Sequence, residues 1–250
     1  MAGFRAYFDF NSYNNEDFIT LSEDESNHLC GSLRAEENDD VDVFDLHGNI
    51  YKCKIASPHK KHTVVKILEK IPPEIKDTEV YLLQCLPKGK TFDDIIRQSV
   101  EIGASGIYPI ISQFSQIKLD QKDIEKKLNK WRAQVLEAIK QSSNFSGFDI
   151  FKPTSFNETL QNLPDFDLKI VASLEDNSKK IADIFKKLEK TPKKIAILIG
   201  PEGDMSNQEY KLANSMGFVP ATLGKNVLKS ETAALTAIAQ VLNASDFIRD

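Results

Sequence analysis

From Glu79 onward, short apolar runs alternate with stretches of helical period, and that alternation leaves few architectures open. Residues 80–86, 106–111, 168–173 and 194–199 read as strands. Between them, Phe92, Ile95, Ile96, Val100 and Gly103 share one face of a helix over 91–103. Thr91-x-x-Asp94 opens that helix and Gly103 closes it. A long helix over 122–143 aligns Ile124, Leu128, Trp131, Val135, Ala138 and Ser142, and a further helix over 179–190 turns Ile181, Ile184, Phe185 and Leu188 inward. Strands alternating with helices predict an α/β fold with a mostly parallel sheet covered on both faces. The aliphatic run 195–199 is far shorter than the ~20 residues of a membrane helix. The N-terminus holds no apolar core of signal-peptide length, so the expectation is a cytosolic (cytoplasmic) protein with no membrane partner.

The first seventy residues follow another pattern. Residues 41–46 and 50–55 alternate around a His47-Gly48-Asn49 turn and read as a hairpin; 63–68 is a third strand candidate. Ser22-x-x-Glu25 resembles a capping box opening a short helix over 22–33. Pro72-Pro73 then marks a linker, dividing the chain into a small β-rich domain over 1–72 and a larger one over 73–250. Charge divides the same way. Residues 1–72 hold eight Lys and Arg against thirteen Asp and Glu, whereas the remainder is balanced. A nonspecific nucleic-acid binder carries a basic excess; this chain would have to bind RNA through local patches and a shaped site. Cys30, Cys53 and Cys85 are too few and too far apart for a disulfide framework or a Cys-x-x-Cys metal knuckle.

Four of the eleven glycines fall between Gly200 and Gly224. The strand 195–199 runs straight into Gly200-Pro201-Glu202-Gly203, and Ser206 with Glu209 forms a capping box for the next helix. Ligands of parallel sheets bind beyond the carboxyl ends of strands, where glycine lets them approach the backbone. Taken alone, Gly-x-x-Gly is also what a tight strand-to-helix turn uses. A second loop follows a short strand at 219–222: Leu223-Gly224 leads through 225–229 into a helix over 230–244. That helix is apolar nearly all round, which predicts burial on both sides and a dimer interface.

Other signatures fail. Lys88-Gly89-Lys90-Thr91 ends like a phosphate-binding loop, but Gln84 stands where its first glycine belongs. His59 and His62 have the spacing of a metal pair without a third ligand nearby, and read as a solvated basic turn. No metal site is expected.

The two glycine loops, taken in order, resemble the SPOUT methyltransferases. Within them the chain is similar to the ribosomal small-subunit methyltransferase E family, which makes 3-methyluridine in 16S rRNA. The resemblance rests on 198–206 and 223–234, on Ser99-Val100-Glu101-Ile102-Gly103, on 137–142, and on His28-Leu29 with Leu33-Arg34 in the first domain. It implies an N-terminal PUA-like β-barrel and a C-terminal domain tied in a trefoil knot by loops near 174–178, 200–206 and 223–231. It implies S-adenosyl-L-methionine as cofactor, held by Leu174, Ile199, Gly200, Pro201, Glu202, Gly203, Leu223, Gly224, Asn226 and Leu228. The partners it implies are 16S rRNA or the small ribosomal subunit, and a second copy of the chain.

Uracil N3 must lose a proton before it can attack a methyl group. Glu202 and Lys229 are the candidate catalytic residues, the first as base and the second as stabiliser of the anion; Glu202 could equally cap the helix at Ser206. Arg5, Arg34, Lys60, Lys61 and Asn144 are candidate RNA contacts. The chain departs from the family where Arg is usual at 229 and 144 and Lys at 98; it has Lys229, Asn144 and Gln98. Two alternatives follow from these departures and from the fold: a noncatalytic RNA-binding protein that retains the knot, and a ribose 2′-O-methyltransferase.

Overall fold

The computed structural model of the chain describes residues 3–10, 13, 17–72, 75–115, 121–175 and 177–246. Pro73 of the expected linker and Asp176 of an expected knot loop lie outside these. Its contacts divide the chain into two compact units, Met1–Ile75 with Ile139–Gly147, and Lys76–Ala138 with Phe148–Asp250. A division at 72/73 alone leaves the 139–147 segment in the second unit.

In the first unit, β1 (Phe4–Tyr7), β2 (Phe18–Thr20), β3 (Asp40–Phe44), β4 (Ile50–Ser57) and β5 (Val64–Ile71) form a sheet in the order β1-β3-β4-β5-β2. The hairpin read from 41–55 is the antiparallel β3–β4 pair. Its alternation buries Val41, Val43, Tyr51, Cys53 and Ile55 together with Leu29 and Val65. β1 lies parallel to β3, a pairing of residues 37 positions apart that four residues of alternation could not announce. The expected helix over 22–33 is two pieces: α1 (Glu23–Ser26), capped by the Ser22 hydroxyl accepting from Glu25 N–H, and a π-helical turn, Asn27–Ser32. Glu25 does not return the capping bond. Its carboxylate instead accepts from Tyr7 N–H at 3.0 Å and from Lys140 at 2.6 Å. Burial pushes the Cys53 thiol up to about 12, so it packs as a neutral group.

The second unit is a parallel sheet. β6 (Glu79–Cys85), α2 (Thr91–Ile102), β7 (Gly106–Ile111), α3 (Gln121–Ser142), β8 (Asp149–Ile150), β9 (Thr154–Ser155) and α4 (Phe156–Gln161) come first. There follow β10 (Leu168–Ala172), β11 (Lys179–Lys180), α5 (Ile181–Phe185), β12 (Lys194–Ile199), α6 (Asn207–Ser215), β13 (Val219–Thr222) and α7 (Ser230–Asp246). The strand order is β11-β13-β10-β12-β6-β7-β8, with β9 also on β7. β12 is central and buried from Ile195 to Ile199, as an uninterrupted aliphatic strand between two parallel neighbours must be. α2 buries the predicted stripe and ends on Gly103, whose φ of 103° is left-handed and closes the helix at low steric cost. Its N-cap is Lys90, without a side-chain bond; Thr91 lies inside the helix, and Asp93 and Asp94 face the positive end of the dipole.

One expectation is corrected. The helix over 179–190 shrinks to α5, because Lys179 and Lys180 pair with Ala221 and Thr222 as a short edge strand, and the chain leaves the helix after Phe185 well before Thr191-Pro192. Within one copy of the chain α7 buries one face, through Ala234, Ala237, Ile238 and Val241, while Ala239 is exposed and Leu235 and Leu242 are half-buried. Among the described residues no helix is long and apolar enough to cross a membrane.

Candidate active site

The chain runs from β10 to β12 on one side, then returns through α6 to β13 on the other side of β10. A parallel sheet opens a crevice where successive connections diverge in this way, at the carboxyl ends of its strands. Here a cavity of ≈ 350 Å³ lies among the segments that follow β10, β12 and β13. Ala172, Ser173 and Leu174 wall it from the first, and Ile199, Gly200, Pro201, Glu202 and Asp204 from the second. From the third come residues 222–224 and 226–230, with Ala233 of α7 at the base. Leu174, Ile199, Gly200, Pro201, Glu202, Leu223, Gly224, Asn226 and Leu228 are therefore brought together, with Lys229 beside them. Gly203 does not line the cavity. A Cβ placed on it would stand 3.5 Å from the Cβ of Phe114, so it abuts the turn after β7.

Ser230, read from sequence only as the start of a helix, joins the loops. Its buried hydroxyl donates to Gly200 O at 2.8 Å and accepts from Gln84 Nε2 at 2.9 Å. Gln84 is fully buried at the end of β6 and also donates to Cys85 O. One hydroxyl thus ties the glycine turn, the last loop and the central sheet. Asp204 and Tyr210 are a second pair that the sequence reading missed. Asp204 adopts φ 62°, a left-handed conformation that Asp tolerates better than most residues. Its Oδ1 accepts from Met205 N–H and from the Tyr210 hydroxyl, both at 2.8 Å. Burial and the Asp204 carboxylate push the Tyr210 hydroxyl above its ordinary range, which keeps it a donor.

Glu202 does not cap α6. The Ser206–Glu209 capping box does that, with Glu209 Oε2 accepting from Ser206 N–H at 2.8 Å. Glu202 Oε1 instead accepts from Lys88 N–H at 3.0 Å, which fixes the glycine turn to the loop after β6. Burial raises the Cys85 thiol well above its usual range, so it packs as a neutral group beside Gln84.

In the first unit the candidate RNA contacts have diverse surroundings. Arg5 is engaged: its guanidinium donates to Lys140 O and lies over the Phe145 ring at 5.7 Å. Lys60 and Lys61 are exposed on the β4–β5 turn, Lys61 within 3.3 Å of Glu23. Arg34 is exposed, at a left-handed φ of 58°. Asn144 Oδ1 accepts from the Ser146 hydroxyl at 2.6 Å. His59 and His62 stack with ring centroids 3.6 Å apart, and among the described residues no group of three or more His, Cys, Asp or Glu could hold a metal.

Comparison with known proteins assigns the class. Residues 74–242 match the RNA methyltransferase domain family, and residues 21–68 match the RNA methyltransferase PUA domain. The chain is an RNA methyltransferase by family. The ribosomal RNA small subunit methyltransferase E of Bacillus subtilis is 28% identical over 236 residues, 92% of each chain. The ribosomal RNA small subunit methyltransferase E 2 of Borreliella burgdorferi is 30% identical over 222 residues, 85% of each. The crystal structure of the Neisseria gonorrhoeae ribosomal RNA small subunit methyltransferase E bound to S-adenosyl methionine superposes with a TM-score of 0.84 at 25% identity, covering 97% of this chain and 98% of that one. The chain belongs to the ribosomal RNA small subunit methyltransferase E family.

Proposed function

We propose that this protein transfers a methyl group from S-adenosylmethionine to N3 of a uridine in 16S rRNA. The observation that carries the reading is the gathering of three loops, each following a parallel strand, around one cavity. The walls fit the cofactor chemically. Leu174, Ile199, Leu223 and Leu228 offer apolar surface to an adenine ring, while Glu202 and Asp204 set carboxylates against a cationic sulfonium. The cofactor, when bound, supplies an electrophilic methyl group. The chain's residues do the rest.

Uracil N3 lies on the pairing edge and carries a proton at neutral pH, so the base must be unpaired or extruded and then deprotonated. Lys229, exposed where the last loop meets α7, places a positive charge that favours the uracil anion. Glu202 is the candidate base, and Lys88 N–H holds its Oε1 at the cavity wall. In this reading the loops near 174–178, 200–206 and 223–231 form a trefoil knot, with the serine bridge at 230 tightening it.

The working form in this reading is a homodimer. Leu174 and Val227, 64% and 77% exposed, stand at the cavity, and Leu235 and Leu242 of α7 are only half-buried; a second copy would cover such apolar surface. Size-exclusion chromatography is expected to return a dimer, and a monomer persisting at high concentration would contradict it. The reaction itself is tested by primer extension on 16S rRNA from cells lacking the protein. A methyl group on a pairing edge blocks reverse transcriptase, so one stop should vanish and 3-methyluridine should leave the nucleoside digest. An unchanged digest would overturn the reading.

A further inference from the structure

The turn that walls the cavity continues into Ser206, which lines two adjoining hollows of ≈ 310 and ≈ 410 Å³, and Met205 lines the larger of them. Both hollows are lined by Gln113, Ser206 and Gln208, and Asn157 of α4 lines the first. Phe114, 48% exposed, lines the second. It sits on a turn held by four contacts. Ser115 N–H donates to Ser112 O at 3.1 Å, Ser112 N–H donates to the Ser115 hydroxyl at 3.2 Å, the two serine hydroxyls are 2.8 Å apart, and the Ser115 hydroxyl donates to Leu86 O at 3.2 Å. The ring is therefore half in water on a preorganised support.

The chemistry of this groove narrows its occupant. Among the described residues its lining has no Lys or Arg for a phosphate, and the one carboxylate among them is committed: Glu209 accepts from Gln113 N–H and Ser206 N–H, each at 2.8 Å. What remains is an aromatic face beside side-chain amides, which both donate and accept. A flat heterocycle with donors and acceptors on its edge fits that set, and unstacked bases of single-stranded RNA are held in this way. We propose that the groove is a nucleobase subsite, in which an unpaired nucleotide adjoining the target stacks on Phe114 while Gln113, Gln208 and Asn157 read its edge. This deepens the RNA methyltransferase reading and rests on it, because the glycine turn then touches cofactor and substrate strand from one short segment.

The test uses the intact chain and a short uridine-rich single-stranded RNA carrying one 2-aminopurine, whose fluorescence falls when it stacks on an aromatic ring. Wild type should bind the probe and quench it. Phe114→Ala should bind about tenfold more weakly and lose the quench, in line with the usual worth of one base–aromatic stack. Phe114→Trp should restore both, and S-adenosylhomocysteine affinity should be equal in all three, which certifies the fold. A probe that Phe114→Ala binds and quenches as wild type does, or that wild type ignores, overturns the subsite and returns the groove to protein contacts. Quenching that depends on Phe114 in a protein that moves no methyl group to small-subunit RNA would instead sink the methyltransferase reading and leave the subsite standing.

Discussion

Lys140→Met should destabilise the first unit by about 3–5 kcal/mol, because it strands a buried carboxylate. Lys140 and Glu25 form an ion pair at 2.6 Å with side chains only 12% and 8% exposed. The pair itself need not add net stability, since both charges were removed from water to make it. Breaking it is another matter. Glu25 would keep its bond from Tyr7 N–H and lose its counter-charge in a place water reaches poorly. Scanning calorimetry should show the transition of the first unit falling by more than about 10 °C, given about 4–8 °C per kcal/mol for a unit of this size. Glu25→Gln placed on Lys140→Met should recover part of the loss. The exposed pair Lys186–Asp183, at 3.5 Å, is the control, and Lys186→Met should change stability by no more than about 0.5 kcal/mol. Equal shifts in the two variants would refute the argument.

Ser230→Ala should weaken S-adenosylhomocysteine binding by about ten- to a hundredfold. The hydroxyl is buried and serves two partners at once, Gly200 O and Gln84 Nε2. Removing it leaves a carbonyl at the glycine turn short of a donor, at a cost of about 1–3 kcal/mol, with every 1.4 kcal/mol a factor of ten. The loss falls on binding because the bond positions the turn that walls the cavity. Ser230→Thr keeps the hydroxyl and should keep part of the affinity if its extra methyl is accommodated. Equal affinity of Ser230→Ala and wild type would remove the bridge from the account.

What could be read from sequence follows the range of the interactions involved. The stripe of α2 and the aliphatic run of β12 were legible because each is a local pattern whose period names its element. The cavity loops were legible because glycine after a buried strand is itself a signal, and nine of the ten expected cofactor positions line one cavity while Gly203 does not. Long-range choices were hidden. Glu25 and Lys140 look like solvated charges until folding brings them, 115 positions apart in the chain, into one bond. Arg5 gives no local sign of its bond to Lys140 O or of the Phe145 ring it lies over. Lys179 and Lys180 precede a helical stripe and read as its first turn, yet the edge of β13 takes them as strand. Ser230 carried no distinguishing mark, since a serine opening a helix is ordinary; only its burial between two loops makes it a bridge.

The claim on which the rest depends is that the cavity behind β10, β12 and β13 holds an S-adenosyl nucleoside. Isothermal titration of the intact protein with S-adenosylhomocysteine tests it without requiring RNA. The account predicts saturable binding at one site per chain, weakened in Ser230→Ala and unchanged in Phe114→Ala. Absence of binding heat at millimolar ligand, with the protein folded, would contradict it.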